Sequence, residues 1–342
     1  MLSLPLPRTP DPADAPPLRW GVVAPGGIAA TMVEALHRFT RQRVVAVGSR
    51  SAERGRAFAN RFGIGRAHDS YEALAADPEV DAVYVASPHS HHREHALLAI
   101  AAGKHVLVEK AFTRNAAEAR EVVGAARSAG IACVEAMWTR FLPSTDVVRQ
   151  LLADGALGDV ETVSADHGQW FALDPASRLF APELAGGALL DLGIYPVSFA
   201  AFVLGAPTSV VARGTVTGTG VDRQVSAVLG SPSGAQAVVN TTLAARTPTV
   251  AAISGSRARI ELDGPFYVPR RVRLVDRDGA VAESGRPRIE GHLGLCHEAA
   301  HLAQLVADGA TESPLLPLAE TVSIMETLDE IRSQVGVSYP GE

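Results

Sequence analysis

Asp191 and Tyr195 stand four residues apart in an apolar stretch. If Leu189 to Val203 is helical, carboxylate and phenol share one face and can address the same substrate hydroxyl. Lys110 follows the apolar run Val106-Leu107-Val108 and Glu109, where an ammonium at the carboxyl end of a strand can project into a ligand cleft. A phenol, with an unperturbed pKa of about 10, is a poor base at neutral pH, and a nearby ammonium lowers that value by stabilising the phenolate. Proton transfer at an alcohol oxygen is chemistry that such side chains perform. Two other groupings compete. His297-Glu298-Ala299-Ala300-His301 fits H-E-x-x-H, the start of many zinc peptidases, which raises a remote metallohydrolase alternative. No later His exists to complete the ligand set, and Glu320 or Glu326 would have to be recruited from another helix, so these His are expected at exposed or interface positions on a packing helix. His89, His91, His92 and His95 with Glu94 could in principle hold a metal, but they sit where a nucleotide-binding turn is expected, which needs none. No metal site is expected.

The elements that must carry these residues follow from periodicity. The apolar runs Trp20 to Ala24, Val44 to Val47, Ala82 to Ala86, His105 to Val108 and Ile131 to Val134 read as buried strands. Between them Ile28 to Phe39, Ser51 to Phe62, Ser90 to Ala102 and Asn115 to Ala129 read as helices, with Gly103 and Gly130 as left-handed caps. Strand and helix alternating at this spacing force parallel neighbours and right-handed crossovers, a doubly wound sheet. After Glu135 a helix at Pro143 to Asp154 precedes a Val-, Thr-, Ser- and Gly-rich region from Val160 to Val281 with turn signals at Ser231 and Asp276. That is the pattern of an antiparallel sheet. Helices around Leu293 to Ala307 and Leu318 to Gln334 end the chain.

The bulk numbers agree with a two-domain enzyme. The chain has 342 residues, 47% hydrophobic and 20% charged, too many for one average domain and ordinary for a globular protein. A net charge of −6 leaves no basic surplus for nucleic acid. Cys133 and Cys296, far apart, form neither a disulfide framework nor a CxxC site, which fits a reducing compartment, and a cytoplasmic location is expected. Residues 1–18, with six Pro and no apolar run, are expected to be a flexible tail. No uninterrupted apolar run reaches the roughly 18 residues of a membrane span, so no membrane association is expected.

At the expected nucleotide edge the first strand ends Ala24-Pro25-Gly26-Gly27-Ile28-Ala29, where small residues let backbone N–H groups approach a pyrophosphate at a helix N-terminus. Ala24 stands where the first Gly of G-x-G would be, so the fingerprint is incomplete. The second strand ends Val47-Gly48-Ser49-Arg50, with Arg54 beyond, where an NAD enzyme usually has an acidic residue on the ribose. A Ser and an Arg there suit a 2′-phosphate, so NADP is expected, with NAD as the other candidate.

Glu109-Lys110, with Ser87-Pro88-His89-Ser90-His91-His92, Tyr84-Val85-Ala86 and Gly103-Lys104-His105, resembles the oxidoreductase family named after glucose-fructose oxidoreductase and inositol dehydrogenase. That family carries E-K-P after this strand and P-N-x-x-H after the previous one, and its Lys lies at the reaction centre. The segments Glu135 to Pro143, Gly186 to Tyr195 and Pro317 to Tyr339 look most like its dimeric dihydrodiol dehydrogenase branch, so the resemblance spans nearly all of the chain after residue 18. Two positions depart from the family pattern. His89 replaces Asn, and Ala111 replaces Pro, which weighs against a cis bond after Lys110 because a non-proline cis bond costs about 3 kcal/mol.

The resemblance implies a Rossmann domain at 19–137 and an α/β domain at 138–342, whose largely antiparallel open sheet binds substrate and makes a homodimer or higher homo-oligomer. It implies hydride transfer between NAD(P) and a CH–OH carbon of a vicinal diol or a small polyhydroxylated, sugar-like substrate. Asp191 and Tyr195 would meet Lys110 across a cleft, with Tyr195 transferring the proton, Lys110 as its electrostatic partner and orienter of the substrate oxygen, and Asp191 positioning both. Expected cofactor contacts are Gly26, Gly27, Ile28, Ser49, Arg50, Arg54, Ser87, Pro88, His89, His92, Glu109 and Lys110. Trp138 and Arg178 join Tyr195 as expected substrate contacts. A non-catalytic NADP-binding sensor is the other alternative; Lys110, Asp191 and Tyr195 occurring together argue against decayed chemistry.

Overall fold

The computed structural model describes residues 2–342. The chain divides into two compact units whose bounds differ from a single cut after residue 137. The first comprises Pro10–Phe141 and Gly291–Val322, and the second Leu142–Glu290, the residues up to Thr9 and Ser323–Glu342.

The first unit runs β1 (Arg19–Val23), α1 (Gly27–Phe39), β2 (Arg43–Gly48), α2 (Ala52–Phe62), β3 (Arg66–His68), α3 (Tyr71–Ala75), β4 (Ala82–Val85), α4 (His92–Ala101), β5 (His105–Glu109), α5 (Ala116–Ala129) and β6 (Cys133–Ala136). The strands pair in parallel throughout, in the order β3-β2-β1-β4-β5-β6. This is the doubly wound sheet expected from the alternation, and its strand order reverses between β1 and β4. Local chemistry starts and stops the helices: Ser51 Oγ accepts the Arg54 N–H, Asn115 Oδ1 accepts the Glu118 N–H, and Gly130 ends α5 at a φ of 65°.

Two differences from the sequence pattern have local causes. β3 and α3, three and five residues long, are too short to show a period, and Ser70 starts α3 by accepting the Ala73 N–H. β6 begins at Cys133, not Ile131, because register with Val106 of β5 starts there, while the Ala132 N–H donates to His105 Nδ1.

The second unit contains α6 (Pro143–Ala153), β7 (Val160–Gly168), α7 (Ile194–Leu204), β8 (Ser209–Val216), β9 (Asp222–Gly230), β10 (Gln236–Thr242), β11 (Ala251–Gly255), β12 (Ala258–Leu262), β13 (Val272–Asp276) and β14 (Val281–Glu283). Helix α8 (Cys296–Ala307) belongs to the first unit, and α9 (Leu318–Val335) begins there and continues in the second. The eight-stranded sheet has the order β14-β13-β12-β11-β7-β10-β9-β8, antiparallel except for the β7–β10 pair. Alternating burial along β9 and β10 shows one face turned to a core, against which α7 packs at β7 and β10. The stretch Pro182–Leu204 is long and apolar enough to cross a membrane by composition, at a mean hydropathy of 1.7, yet 72% of that window is buried inside the fold, which fits a core helix.

The Pro-rich start, expected to be a flexible tail, makes specific contacts. In the second unit the Arg8 backbone N–H and guanidinium bond Asp146 at 2.7 and 3.0 Å. In the first, Arg41 donates to the carbonyls of Ala13 and Asp14, Gln42 Nε2 donates to Pro16 O, and Ala15 packs on Ala300 and Ala303 of α8.

His92, at the start of α4, ties two strand ends together. Its Nδ1 lies 2.9 Å from Ala111 O and its Nε2 2.7 Å from Ser87 O. Burial pushes the imidazole from 6.5 down to about 4, so it is neutral at physiological pH and its one N–H donates to one carbonyl at a time. Above an ordinary pKa of 6.5 neither folded nor unfolded chain protonates this group; between 6.5 and about 4 only the unfolded chain does, which costs the native state stability. His92→Asn should therefore lower stability by about 1–3 kcal/mol near neutral pH, with the gap to wild type closing as pH falls through that window. Melting temperatures across the range test this, and a gap that widens toward acid pH would refute it.

Candidate functional site

The carboxyl edge of the parallel sheet gathers the expected nucleotide contacts. Ala24, standing in for a glycine, takes a φ of 66°, and the Gly26 N–H folds back to Ala24 O at 2.8 Å. Helix α1 starts at Gly27 with no side-chain cap, and an added Cβ there would meet nothing within 4 Å. An uncapped helix N-terminus with open space at its glycine fits a pyrophosphate, which would take up the free N–H groups of the first turn. Ile28 lies in that turn. At the end of β2, Ser49 is buried and its Oγ accepts the Ser51 N–H, while Arg50 and Arg54 are exposed. Neither guanidinium forms an ion pair among the described residues, so both are available to an added phosphate.

After β4, Ser87 is bonded through its carbonyl to His92 and through Oγ to His95 Nδ1 at 2.9 Å, with Pro88 following. The His cluster packs ring against ring: His89 lies edge-on to His92 at 5.6 Å, His91 to His95 at 5.7 Å, and Tyr71 to His95 at 4.4 Å. His95 was not expected to hold Ser87; only its spacing from His91 was visible in the sequence.

Glu109 is buried and accepts the Tyr84 hydroxyl at Oε1 and the Lys110 N–H at Oε2, so the protein itself engages the carboxylate expected to contact cofactor. Lys110 follows, half-buried, and the peptide bond after it is cis although Ala111 lacks the proline ring. This corrects the expectation drawn from Ala111. The ring of His292 stacks on Trp138, with centroids 5.2 Å apart, and burial together with the Lys110 ammonium pushes His292 down from its ordinary value. Trp138 is buried under that contact. Lys110, Trp138 and His292 therefore share one corner of the first unit, and nothing in the spacing of His292 announced it.

Of the exposed or interface positions expected for the H-E-x-x-H residues, the structure has the packed kind. His297 and Glu298 are buried, and His301 Nε2 bonds Ser313 Oγ at 2.8 Å.

In the second unit the residues before α7 form a wide π turn over Leu189–Gly193, not the continuous α-helix expected from Leu189. Such widened turns recur at functional sites. Asp191 is buried and its Oδ1 accepts Arg178 Nη1 at 3.0 Å, so the structure pairs two residues that the sequence presented separately. Tyr195, on the first turn of α7, stacks on Tyr267 at 4.7 Å and meets the edge of His167 at 5.3 Å. His167 is oriented in turn: its Nδ1–H donates to Leu192 O, and Gln169 Nε2 lies 3.1 Å from its Nε2. Tyr267 sits between β12 and β13 in Gly264-Pro265-Phe266-Tyr267, where no period marks a functional ring, and burial pushes its hydroxyl pKa up. The phenol of Tyr195 is thus backed by two aromatic neighbours and preceded by a carboxylate-guanidinium pair.

Residues 18–136 match the oxidoreductase family with an NAD-binding Rossmann fold, and residues 145–261 match the GFO/IDH/MocA C-terminal domain. The trans-1,2-dihydrobenzene-1,2-diol dehydrogenase of Sus scrofa is 37% identical over 334 residues, covering 94% of this chain and 98% of its own length; that of Xenopus tropicalis is 35% identical over 329 residues, covering 94% and 99%. A 3-ketoreductase from Actinomadura kijaniata, solved with NADP and TDP-benzene, superposes at a TM-score of 0.82 with 27% identity, over 94% of this chain and 98% of its own. The aldose-aldose oxidoreductase of Caulobacter crescentus, solved with glycerol, does so at 0.84 with 25% identity and the same coverage. With a doubly wound nucleotide sheet, a mixed second sheet and relatives matched from end to end, the chain belongs to the GFO/IDH/MocA family and is an NAD(P)-dependent oxidoreductase.

Proposed function

We propose that this enzyme interconverts a secondary alcohol and a ketone in a vicinal diol or sugar-like substrate, using NADP. The observation that carries this reading is the second-unit grouping: a phenol stacked on aromatic rings, preceded by the Arg178–Asp191 pair. A substrate with one reacting hydroxyl and a second beside it suits that grouping, because the phenol can take one and the ion pair can hydrogen-bond the other. The names of the relatives, a dihydrodiol dehydrogenase and a sugar oxidoreductase, point the same way.

NADP, when bound, supplies the nicotinamide ring that accepts or donates the hydride. Tyr195 holds or removes the proton at the substrate oxygen. Lys110, at the end of β5, supplies a positive charge of the kind that favours a developing alkoxide. Asp191, held by Arg178, lies one turn before the phenol and orients the substrate beside it. Trp138, expected to contact substrate, is instead buried beneath His292, so its ring serves packing at that corner of the first unit. Gly26, Gly27 and Ile28 would hold the pyrophosphate, and Ser49, Arg50 and Arg54 the 2′-phosphate.

The open face of the second sheet supports assembly as a homodimer. Val211, Val228 and Val238 stand in register across β8, β9 and β10, and they are 64%, 39% and 49% exposed. A row of exposed Val on one sheet face is what a second copy of the chain would cover.

Arg50→Ala should weaken NADP by at least about 10-fold while leaving NAD within about twofold, since it removes a charge-assisted phosphate contact. Nicotinamide-fluorescence titrations measure both, and equal losses would remove the 2′-phosphate assignment. Tyr195→Phe should cut turnover at least about 100-fold on a panel of diols and aldoses with cofactor affinity nearly intact; an unchanged rate would take Tyr195 out of the mechanism. Val228→Lys with Val238→Lys should give a monomer by sedimentation, and an unaltered dimer would place the interface elsewhere.

A further inference from the structure

The turn that delivers Asp191 and Tyr195 is gripped by two buried side chains from distant parts of the second unit. Asp222, the first residue of β9, is 1% exposed, and its Oδ2 accepts the Leu189 N–H at 2.6 Å. Tyr339, near the end of the chain, is also buried, and its hydroxyl donates to Gly186 O at 2.7 Å. Between these bonds lies Gly187 at a φ of 116°, where an added Cβ would fall 2.1 Å from Asp222 Oδ1. The backbone there passes against the carboxylate so closely that only a residue without a side chain fits. The turn is therefore held at both ends, by an acceptor on Leu189 and a donor on Gly186.

We infer that Asp222 and Tyr339 are positioning residues for the reaction, setting the orientation of Asp191 and Tyr195 by clamping the Gly186–Leu189 turn. The inference rests on the proposed roles of Asp191 and Tyr195. Two features favour a positioning role over simple packing. Asp222 Oδ1 has no hydrogen-bond partner among the described residues, although it is fully enclosed. An enclosed carboxylate with an unbonded oxygen is a poor way to stabilise a fold, but its other oxygen gives the first turn of the segment a charge-assisted bond aimed along the helix start. Burial pushes Asp222 up to about 6, against the pull of the Leu189 N–H and the Arg332 guanidinium. The second feature is that Tyr339 is itself held in place. Its ring lies under Arg332, whose guanidinium carbon is 4.6 Å from the centroid, and Arg332 pairs with Glu342 at 2.8 Å. The clamp on the turn is thus fixed by α9 and the last residues of the chain.

Asp222→Asn and Tyr339→Phe preserve shape while removing the charge or the hydroxyl. Both should lower kcat by about 10-fold, with KM and the NADP Kd changed less than about threefold. In the Tyr195→Phe background the same changes should cost less than about twofold, because the group they position no longer acts. Full additivity in that cycle would overturn the inference while leaving the proposed function intact. Hydrogen exchange needs no substrate: the amides of residues 188–195 should exchange faster in either variant, while those of β4 and β5 do not change. Unaltered exchange in 188–195, in variants that melt as wild type does, would also overturn the inference. A panel without turnover on wild-type enzyme would count against the proposed function alone, and the exchange measurement would still decide the clamp. Should Asp222→Asn fail to fold, Tyr339→Phe carries every readout.

Discussion

Parallel pairing brings the carboxyl ends of six strands to one edge, and the chemistry of the first unit follows from that constraint. At the edge β1 leads to the uncapped start of α1, β2 to Ser49 and Arg50, β4 to Ser87, β5 to Lys110, and β6 to Trp138. Inside such a sheet the strands are covered on both faces and are mostly apolar, as the fully buried run of β4 is. Polar and charged groups are tolerated where the ladder stops and backbone N–H groups become available. The same constraint explains why so many side chains near the edge are engaged with one another. Ser87, His92 and Ala111 are bonded in one chain of contacts, and Glu109 is bonded to Tyr84 and to the backbone of Lys110. These contacts fix where two strands end, and Lys110 follows the second of those ends.

The second unit uses a different economy of forces around Tyr195. Arg178 is 53% exposed, so its pair with Asp191 contributes about 0–1 kcal/mol and serves geometry more than stability. The aromatic contacts are stronger. Each ring pair among His167, Tyr195 and Tyr267 is worth about 0.5–1.5 kcal/mol beyond the area it buries. Stacking therefore holds the phenol, and the ion pair tunes the polar side of the same surface. The π turn over Leu189–Gly193 joins the two, since it carries Asp191 directly and sets where α7 begins.

Much of this was legible because periodicity and punctuation are local. The four longer crossover helices, the cap at Gly130 and the strands they separate are written in contiguous residues, and the structure has them within a residue or two. Lys110, Asp191 and Tyr195 stood out for the same reason, each inside a distinctive short motif. What escaped is non-local. His292 reaches Trp138 from 154 residues further along the chain, and Tyr267 stacks on Tyr195 from a proline-flanked turn. No spacing rule connects such pairs. The π turn was hidden as well, because the apolar sequence of that segment suits an ordinary helix equally well, and its packing against β7, β9 and β10 is non-local. The cis bond at Lys110–Ala111 ran against local preference, and only the tertiary setting reveals it.

The H-E-x-x-H segment shows how a motif can meet a spacing rule for a reason unrelated to its usual chemistry. Residues one turn apart on α8 share a face by helix geometry alone, whatever chemistry they carry. On this helix the buried face meets β5 and β6, and Glu298 turns into the region occupied by Glu109 and Glu135. Burial and those two carboxylates push the Glu298 pKa well up, favouring the neutral acid, whereas a metal-bound site would need the opposite balance of charge. His301 is turned to Ser313 and packs on Phe141, 4.9 Å between ring centroids, so its nitrogen already has a hydroxyl partner. The spacing that suggests zinc thus arises here from an amphipathic helix whose inward side happens to carry a protonatable acid behind the strand that ends in Lys110.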